Sequence, residues 1–189
     1  MNQEFNGLGM SLGNLSRLSS ARTRSLSAEN PTGEKGKGGM SVEGTGAGPA
    51  RELGQGWKVS PSVNIEAGET FTLADIDEPG AVQSMWFGGY VGRDFILRIY
   101  WDGQEQPSVE CPLPDFFALP WVSDDQTPGT RGPLVRVNSQ PVSVNPNKIL
   151  WFVSSRLDLR RLVNAARVVL AAVLGDGPAN LRHLACNGT

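Results

Sequence analysis

The pattern of apolar and polar side chains divides the chain into four zones. Through residues 1–56 apolar residues stand singly among glycines and serines, except around Leu8 to Leu18, which reads as an extended, loop-like segment. A short helix over Asn6 to Leu18 is weakened by Gly7, Gly9 and Gly13. From Trp57 to Ser155 the pattern becomes short alternating runs separated by turn residues. Val63 to Ile76 gives two such segments hinged at Gly68, then an Asp77-Glu-Pro-Gly turn and a further run from Ala81 to Phe87. The clearest strand starts at Asp94. Its alternation puts Phe95, Leu97, Ile99 and Trp101 on one face and Ile96, Arg98 and Tyr100 on the other, and Asp102-Gly103 then signals a hairpin. Short strands follow at Pro107 to Cys111, Leu134 to Asn138, Pro141 to Asn145 and Ile149 to Ser155. Strand starts about every 10 residues predict an all-β fold, a jelly-roll β-sandwich over residues 57–155.

Beyond Ser155 the period changes. Leu157, Leu159, Leu162, Val163, Ala166, Val169, Leu170 and Val173 recur at spacings of three and four, with Arg156, Arg160, Arg161 and Arg167 largely on another face. This spacing predicts one C-terminal amphipathic helix over 156–175, ended by Gly175, that buries its Leu/Val stripe on its own domain. Residues 176–189 read as an unstructured tail.

Composition narrows the function classes. With 189 residues, 39% of them hydrophobic, the chain supports one sizeable core. A formal net charge of −2 gives no global basic field for nucleic acid phosphates, so no nucleic-acid partner is expected. The start, MNQEF, carries an acidic residue where a secretory leader needs positive charge and leads into no continuous apolar stretch, so a cytoplasmic, non-membrane protein is expected. Cys111 and Cys186 are far apart and His183 is the single histidine, which removes zinc-cluster spacing and histidine-based triads. No metal or other cofactor is expected.

The run SSARTRSLSAENPTGEKGKGGM, residues 19–40, first looks like a phosphate-cradling loop. It fails on spacing: Gly36-Lys37 is followed by Gly38 instead of Ser or Thr, Pro31 stands where the first glycine belongs, and no apolar strand leads in. Two readings remain, a flexible surface loop or an ordered polar wall over Ser27-Ala-Glu-Asn-Pro-Thr-Gly. In the second, Asn30 is held extended by Pro31, and Arg22, Ser27, Glu29 and Asn30 supply donors and acceptors for a hydroxyl-rich ligand. Carboxylates are the remaining general acid/base groups, and most are solvated surface groups. Asp115 is the least ordinary, set among prolines beside Phe116 and Phe117, either hydrogen-bonded to loop amides or part of a site. Of five tryptophans, Trp86 and Trp101 sit at strand positions consistent with a core, whereas Trp57 and Trp121 are the better candidates for exposed stacking on sugar rings.

Several strings together carry a family resemblance. Leu15-Ser-Arg-Leu, Ser27-Ala-Glu-Asn-Pro-Thr-Gly-Glu-Lys-Gly-Lys-Gly-Gly, Arg51-Glu-Leu-Gly-Gln-Gly-Trp-Lys-Val-Ser-Pro, Ile76-Asp-Glu-Pro-Gly-Ala-Val-Gln, the run from Leu97 to Leu113 and Asp115-Phe-Phe-Ala occur in consistent order from about residue 7 to Asn147. They resemble the domain of unknown function 2961 family, grouped as glycoside hydrolase family 172. The resemblance implies a tandem jelly-roll protein that assembles as a trimer. It also implies retaining hydrolysis of furanosides, arabinofuranose glycans or fructofuranose dianhydrides, with two glutamates and no cofactor. The family's catalytic strings, resembling Gly-Glu-x-Lys-Phe and Gly-Thr-Glu-Asp-Tyr, do not occur here, so the catalytic residues are unknown. The expectation is therefore the first half of a tandem jelly roll, inactive alone, with a frameshifted or recombined end from about Lys148. It keeps a sugar-binding wall of Arg22, Ser27, Glu29, Asn30, Trp57, Asp115 and Phe116. The rival expectation is a non-catalytic jelly-roll module that binds glycan or assembles with a complete paralogue.

Overall fold

The computed structural model describes residues 12–14, 16–89, 93–117, 142–145, 150–154, 166–172 and 179–188. In chain order these form a 3₁₀ turn at Leu12–Asn14, β1 (Arg24–Leu26), α1 (Ala47–Ala50), β2 (Ser62–Ile65), β3 (Thr70–Ile76), β4 (Val82–Gly89), β5 (Phe95–Trp101) and β6 (Val109–Pro112). They continue through α2 (Leu113–Phe116), β7 (Val142–Asn145), β8 (Leu150–Ser154), β9 (Ala166–Ala172) and β10 (Ala179–Gly188). Among the described residues no helix is long and apolar enough to cross a membrane.

All strand pairs are antiparallel, and they make two sheets. In the first, β10 lies beside β4, which is followed by β8 and β7; along the other edge of β10, β2 pairs with its beginning and β1 with its end. The second sheet has the order β3-β9-β5-β6. Gly68, at φ 82°, turns the chain from one sheet to the other, and its N–H donates to the Ala172 carbonyl at 2.9 Å. Positive φ there is cheap only for glycine, which accounts for the hinge read between the two alternating runs.

The two sheets close over one core. Strand β5 alternates as its sequence requires, with Phe95, Leu97, Ile99 and Trp101 buried and Ile96, Arg98 and Tyr100 between them half-buried. Facing partners come from both sheets: Ile65, Met85 and Phe87 from the first, Leu73, Ala74 and Val168 from the second, with Leu113 and Phe117 at one end. Strand β3 departs from strict alternation, because Leu73 is an extra residue between pairs Thr72↔Val169 and Ala74↔Val168. The bulge turns both Leu73 and Ala74 inward. Trp86 is only half-buried, unlike the core position its strand suggested, whereas Trp101 is in the core.

The end of the chain corrects the expected helix. Residues 166–172, inside the predicted 156–175 helix, are a strand bonded on one side to β3 and on the other to β5. Val168-Val-Leu-Ala-Ala is a short continuous apolar run containing β-branched residues, for which periodicity does not separate helix from buried strand. Two unsatisfied strand edges decide it, since pairing satisfies backbone groups on both. Arg167 fits the same strand: it pairs with Tyr100 and its guanidinium lies 4.5 Å from the ring centre on the outer face. Residues 179–188 of the expected unstructured tail are likewise a strand. The Asp102-Gly103 signal marks a real turn, both residues at positive φ with Gln104 N–H donating to the Trp101 carbonyl at 3.0 Å, but the chain runs on through 104–108 before β6 begins. The strand expected at Leu134 to Asn138 lies outside the described residues.

Phe87 is fully buried and meets Phe117 edge-on at 5.7 Å between ring centres. Phe87→Ala is expected to lower the unfolding free energy by about 3–5 kcal/mol in urea titrations, through lost burial and the cavity left between the sheets.

Candidate functional site

The polar stretch around residue 30 is ordered by its own hydrogen bonds. Ser27 and Asn30 exchange backbone bonds at 3.1 and 3.0 Å, closing a tight turn, and the Gly33 N–H donates to the Asn30 carbonyl at 3.2 Å. Asn30 is 9% exposed, and its amide Nδ2 donates to the Glu34 carbonyl at 2.9 Å. Gly33 holds φ 68°, with Leu26 and the Cβ of Arg24 close to where a side chain would start, so the loop folds directly onto β1. These bonds are those that an ordered polar wall over residues 27–34 requires. Between β1 and this loop lies an open groove of about 630 Å³, lined among others by Arg22, Arg24, Asn30, Glu34 and Lys35.

Glu29 holds the loop to its neighbour. Its Oε1 accepts from the Ser60 N–H at 2.6 Å, so the carboxylate faces the segment before β2 and is not part of the groove lining. That segment is packed against residues 39–46 by glycine contacts. Gly56 N–H donates to the Gly39 carbonyl at 2.8 Å, Gly46 N–H donates to the Val59 carbonyl at 2.8 Å, and the Thr45 and Ser62 hydroxyls are 2.6 Å apart. A Cβ at Gly44 would stand 2.5 Å from Ser60 Cβ, and φ there is 150°, so only glycine fits.

Of the expected site residues, the groove brings together Arg22 and Asn30; Ser27 and Glu29 build the turn beside it. Trp57 is 56% exposed on the 39–57 loop and does not line the groove. Asp115 and Phe116 lie in α2, also outside the lining. There Asp115 makes a two-pronged ion pair with Arg93, and Phe116 packs edge-on to Phe117 at 5.3 Å against the core. Trp121 lies outside the described residues. Neither Glu29 nor Asp115, the carboxylates weighed for acid/base work, is without a partner. Sequence reading missed Arg24 and Lys35 as groove residues. It also missed Arg93, whose pairing with a carboxylate 22 positions away has no local signal. Among the described residues no group of three or more His, Cys, Asp or Glu side chains could hold a metal ion.

These features define a β-sandwich protein with a polar loop groove at one edge of its first sheet. Residues 57–125 match the family model described as GH172 domain-like, consistent with a partial glycoside hydrolase family 172 domain. Over that stretch the match bears out the resemblance. No curated protein matches the chain. The matched stretch holds β2 to α2, including the Arg93–Asp115 pair, and is narrower than the span from residue 7 to 147 that the strings suggested; the groove loop lies before it.

Gly44→Ala is expected to cost roughly 1–3 kcal/mol of stability in thermal or urea unfolding, because backbone must move to admit the methyl. Cys111, next to α2, offers a second test. Burial, and then the Asp115 charge, push its thiol pKa up, while a hydrogen bond from the Phe116 backbone pulls it down. In a Cys186→Ser background, Asp115→Asn removes one raising cause, so more thiolate is present at pH 8 and thiol-reactive dye should label Cys111 faster.

Proposed function

We propose that the groove between β1 and the Ser27–Glu34 loop binds a furanoside saccharide, and that this chain binds it without hydrolysing it. The observation that carries the reading is the groove itself: an ordered turn, pinned by Asn30 and tethered through Glu29, stands beside β1, so that Arg22, Arg24, Asn30 and Glu34 line one open cleft. Such a convergence of donors and acceptors suits vicinal hydroxyls. The family match supports a carbohydrate in preference to other polyhydroxy ligands. Binding without turnover is supported by the absence of the family's glutamate strings and by the engagement of Glu29 and Asp115 elsewhere. A jelly-roll reading of the sandwich is supported by strand order: with β7 set apart, β2-β10-β4-β8 faces β3-β9-β5-β6, the interleaving of two Greek keys.

A second reading concerns assembly. Met40, Val42, Leu53 and Trp57 are exposed apolar side chains of one loop region, and the bonds from Gly56 to Gly39 and from Gln55 to the Met40 carbonyl hold Met40 near Trp57. Apolar side chains gathered this way favour burial against further copies of the chain, as in the trimer the resemblance implies.

Titration of the purified chain with arabinofuranosyl and fructofuranosyl oligosaccharides is expected to show binding without product. Arg22→Ala is expected to weaken it about tenfold, the loss of one charge-assisted hydrogen bond. Absence of binding overturns the saccharide reading; clear turnover overturns the non-hydrolytic one. Light scattering of Trp57→Ser against the unchanged chain tests assembly, with a smaller particle expected for the variant.

A further inference from the structure

The groove carries more positive charge than a neutral sugar needs. Arg22, Arg24 and Lys35 line it against one carboxylate, Glu34, and among the described residues no carboxylate lies within ion-pair distance of any of the three. Arg24 donates from Nη1 to the neighbouring Thr23 carbonyl at 3.1 Å, a neutral acceptor. This local surplus contrasts with a chain of net charge −2. Neutral hydroxyls leave this local positive charge uncompensated, whereas an anion offsets it, and salt screens that attraction at so exposed a site.

Backbone geometry points the same way. Gly36, at φ 79°, and Gly38 also line the groove, and open space lies where a Cβ would stand at either. A ligand can therefore approach the main chain there, which a side chain would block. The spacing excludes a nucleotide P-loop, but exposed glycine backbone beside arginines is suited to an oxyanion with several acceptor oxygens.

We propose that the furanose held in this groove carries a phosphate monoester. The inference rests on the saccharide reading and adds the charge of its ligand. Three cations against one carboxylate leave a surplus of about two charges, and a phosphate monoester carries roughly −1.5 to −2 near neutral pH. A carboxylate supplies only one charge and two oxygens. Arginine's fork matches phosphate oxygens in pairs, Lys35 adds a point charge, and Asn30 is fixed by Glu34 at the floor of the loop. Arg22 and Lys35 are exposed, so replacing them leaves the core untouched.

Calorimetric titration of the full chain with ribose 5-phosphate, ribose and inorganic phosphate tests this. Ribose 5-phosphate is expected to bind at least about tenfold more tightly than ribose or phosphate alone, with affinity falling as salt rises. The Arg22→Ala/Lys35→Ala double variant should erase the preference while keeping the unfolding midpoint of the parent. Equal binding of ribose and ribose 5-phosphate overturns the phosphate inference and leaves the saccharide reading standing. Inorganic phosphate binding as tightly as the sugar phosphate also overturns it, leaving a bare anion site. If neither sugar nor any of the oligosaccharides binds, the saccharide reading falls and takes the inference with it.

Discussion

Hydrogen-bond pairing between strands distant in sequence is the constraint on which the rest of this structure depends. Strands β3 and β5 do not bond to each other; both bond to β9, which enters between them from far along the chain, Thr70 pairing with Ala171 and Phe95 with Ala172. Likewise β1 and β2 are joined to β4 only through β10. Without those two strands the front of the chain would present unpaired backbone edges on both sheets, and buried backbone groups do not stay unpaired. Val168 and Ala172 also fill the space between the sheets, so the same segment that closes the ladder completes the core. Contacts of this range make folding slow to nucleate, since loop closure precedes any reward.

The groove inherits its position from that pairing. Strand β1 is three residues long and has no stability of its own; it is held by β10, and Leu26 is anchored in the core. The 27–34 turn then folds back on β1 through Gly33, while Glu29 reaches Ser60 just ahead of β2, the other strand held along the same edge of β10. A polar loop is thereby tied to the sandwich at two points, which is how a segment with hardly an apolar side chain is placed at all. Rigid placement of donors lowers the ordering cost of binding a flexible polar ligand.

A family match over residues 57–125 does not by itself supply chemistry. Glu29 is engaged by a backbone amide and Asp115 by an arginine, so in each case the carboxylate stabilises its surroundings. The Arg93–Asp115 pair is half-buried and two-pronged. It sits beside the Phe116–Phe117 contact at the end of the core, in keeping with a role in fixing α2 against β5 and β6.

The sequence by itself determined the all-β class, the inward face of β5, the hinge at Gly68, the turn at Asp102-Gly103 and the polar loop with Arg22 and Asn30 in it. Each depends on residues within a few positions of one another: period-two alternation, positive φ at glycine or aspartate, a proline holding its predecessor extended. What tertiary structure alone decided was the conformation of 166–172 and 179–188, the bulge at Leu73, the partners of Glu29 and Asp115, and the bringing of Arg24 and Lys35 into one groove lining. An apolar run such as Val168-Val-Leu-Ala-Ala has comparable local energies as helix or strand, so two waiting sheet edges settle it. Charges ten or more positions apart have no local coupling, so their neighbours are assigned only when the loop closes on β1.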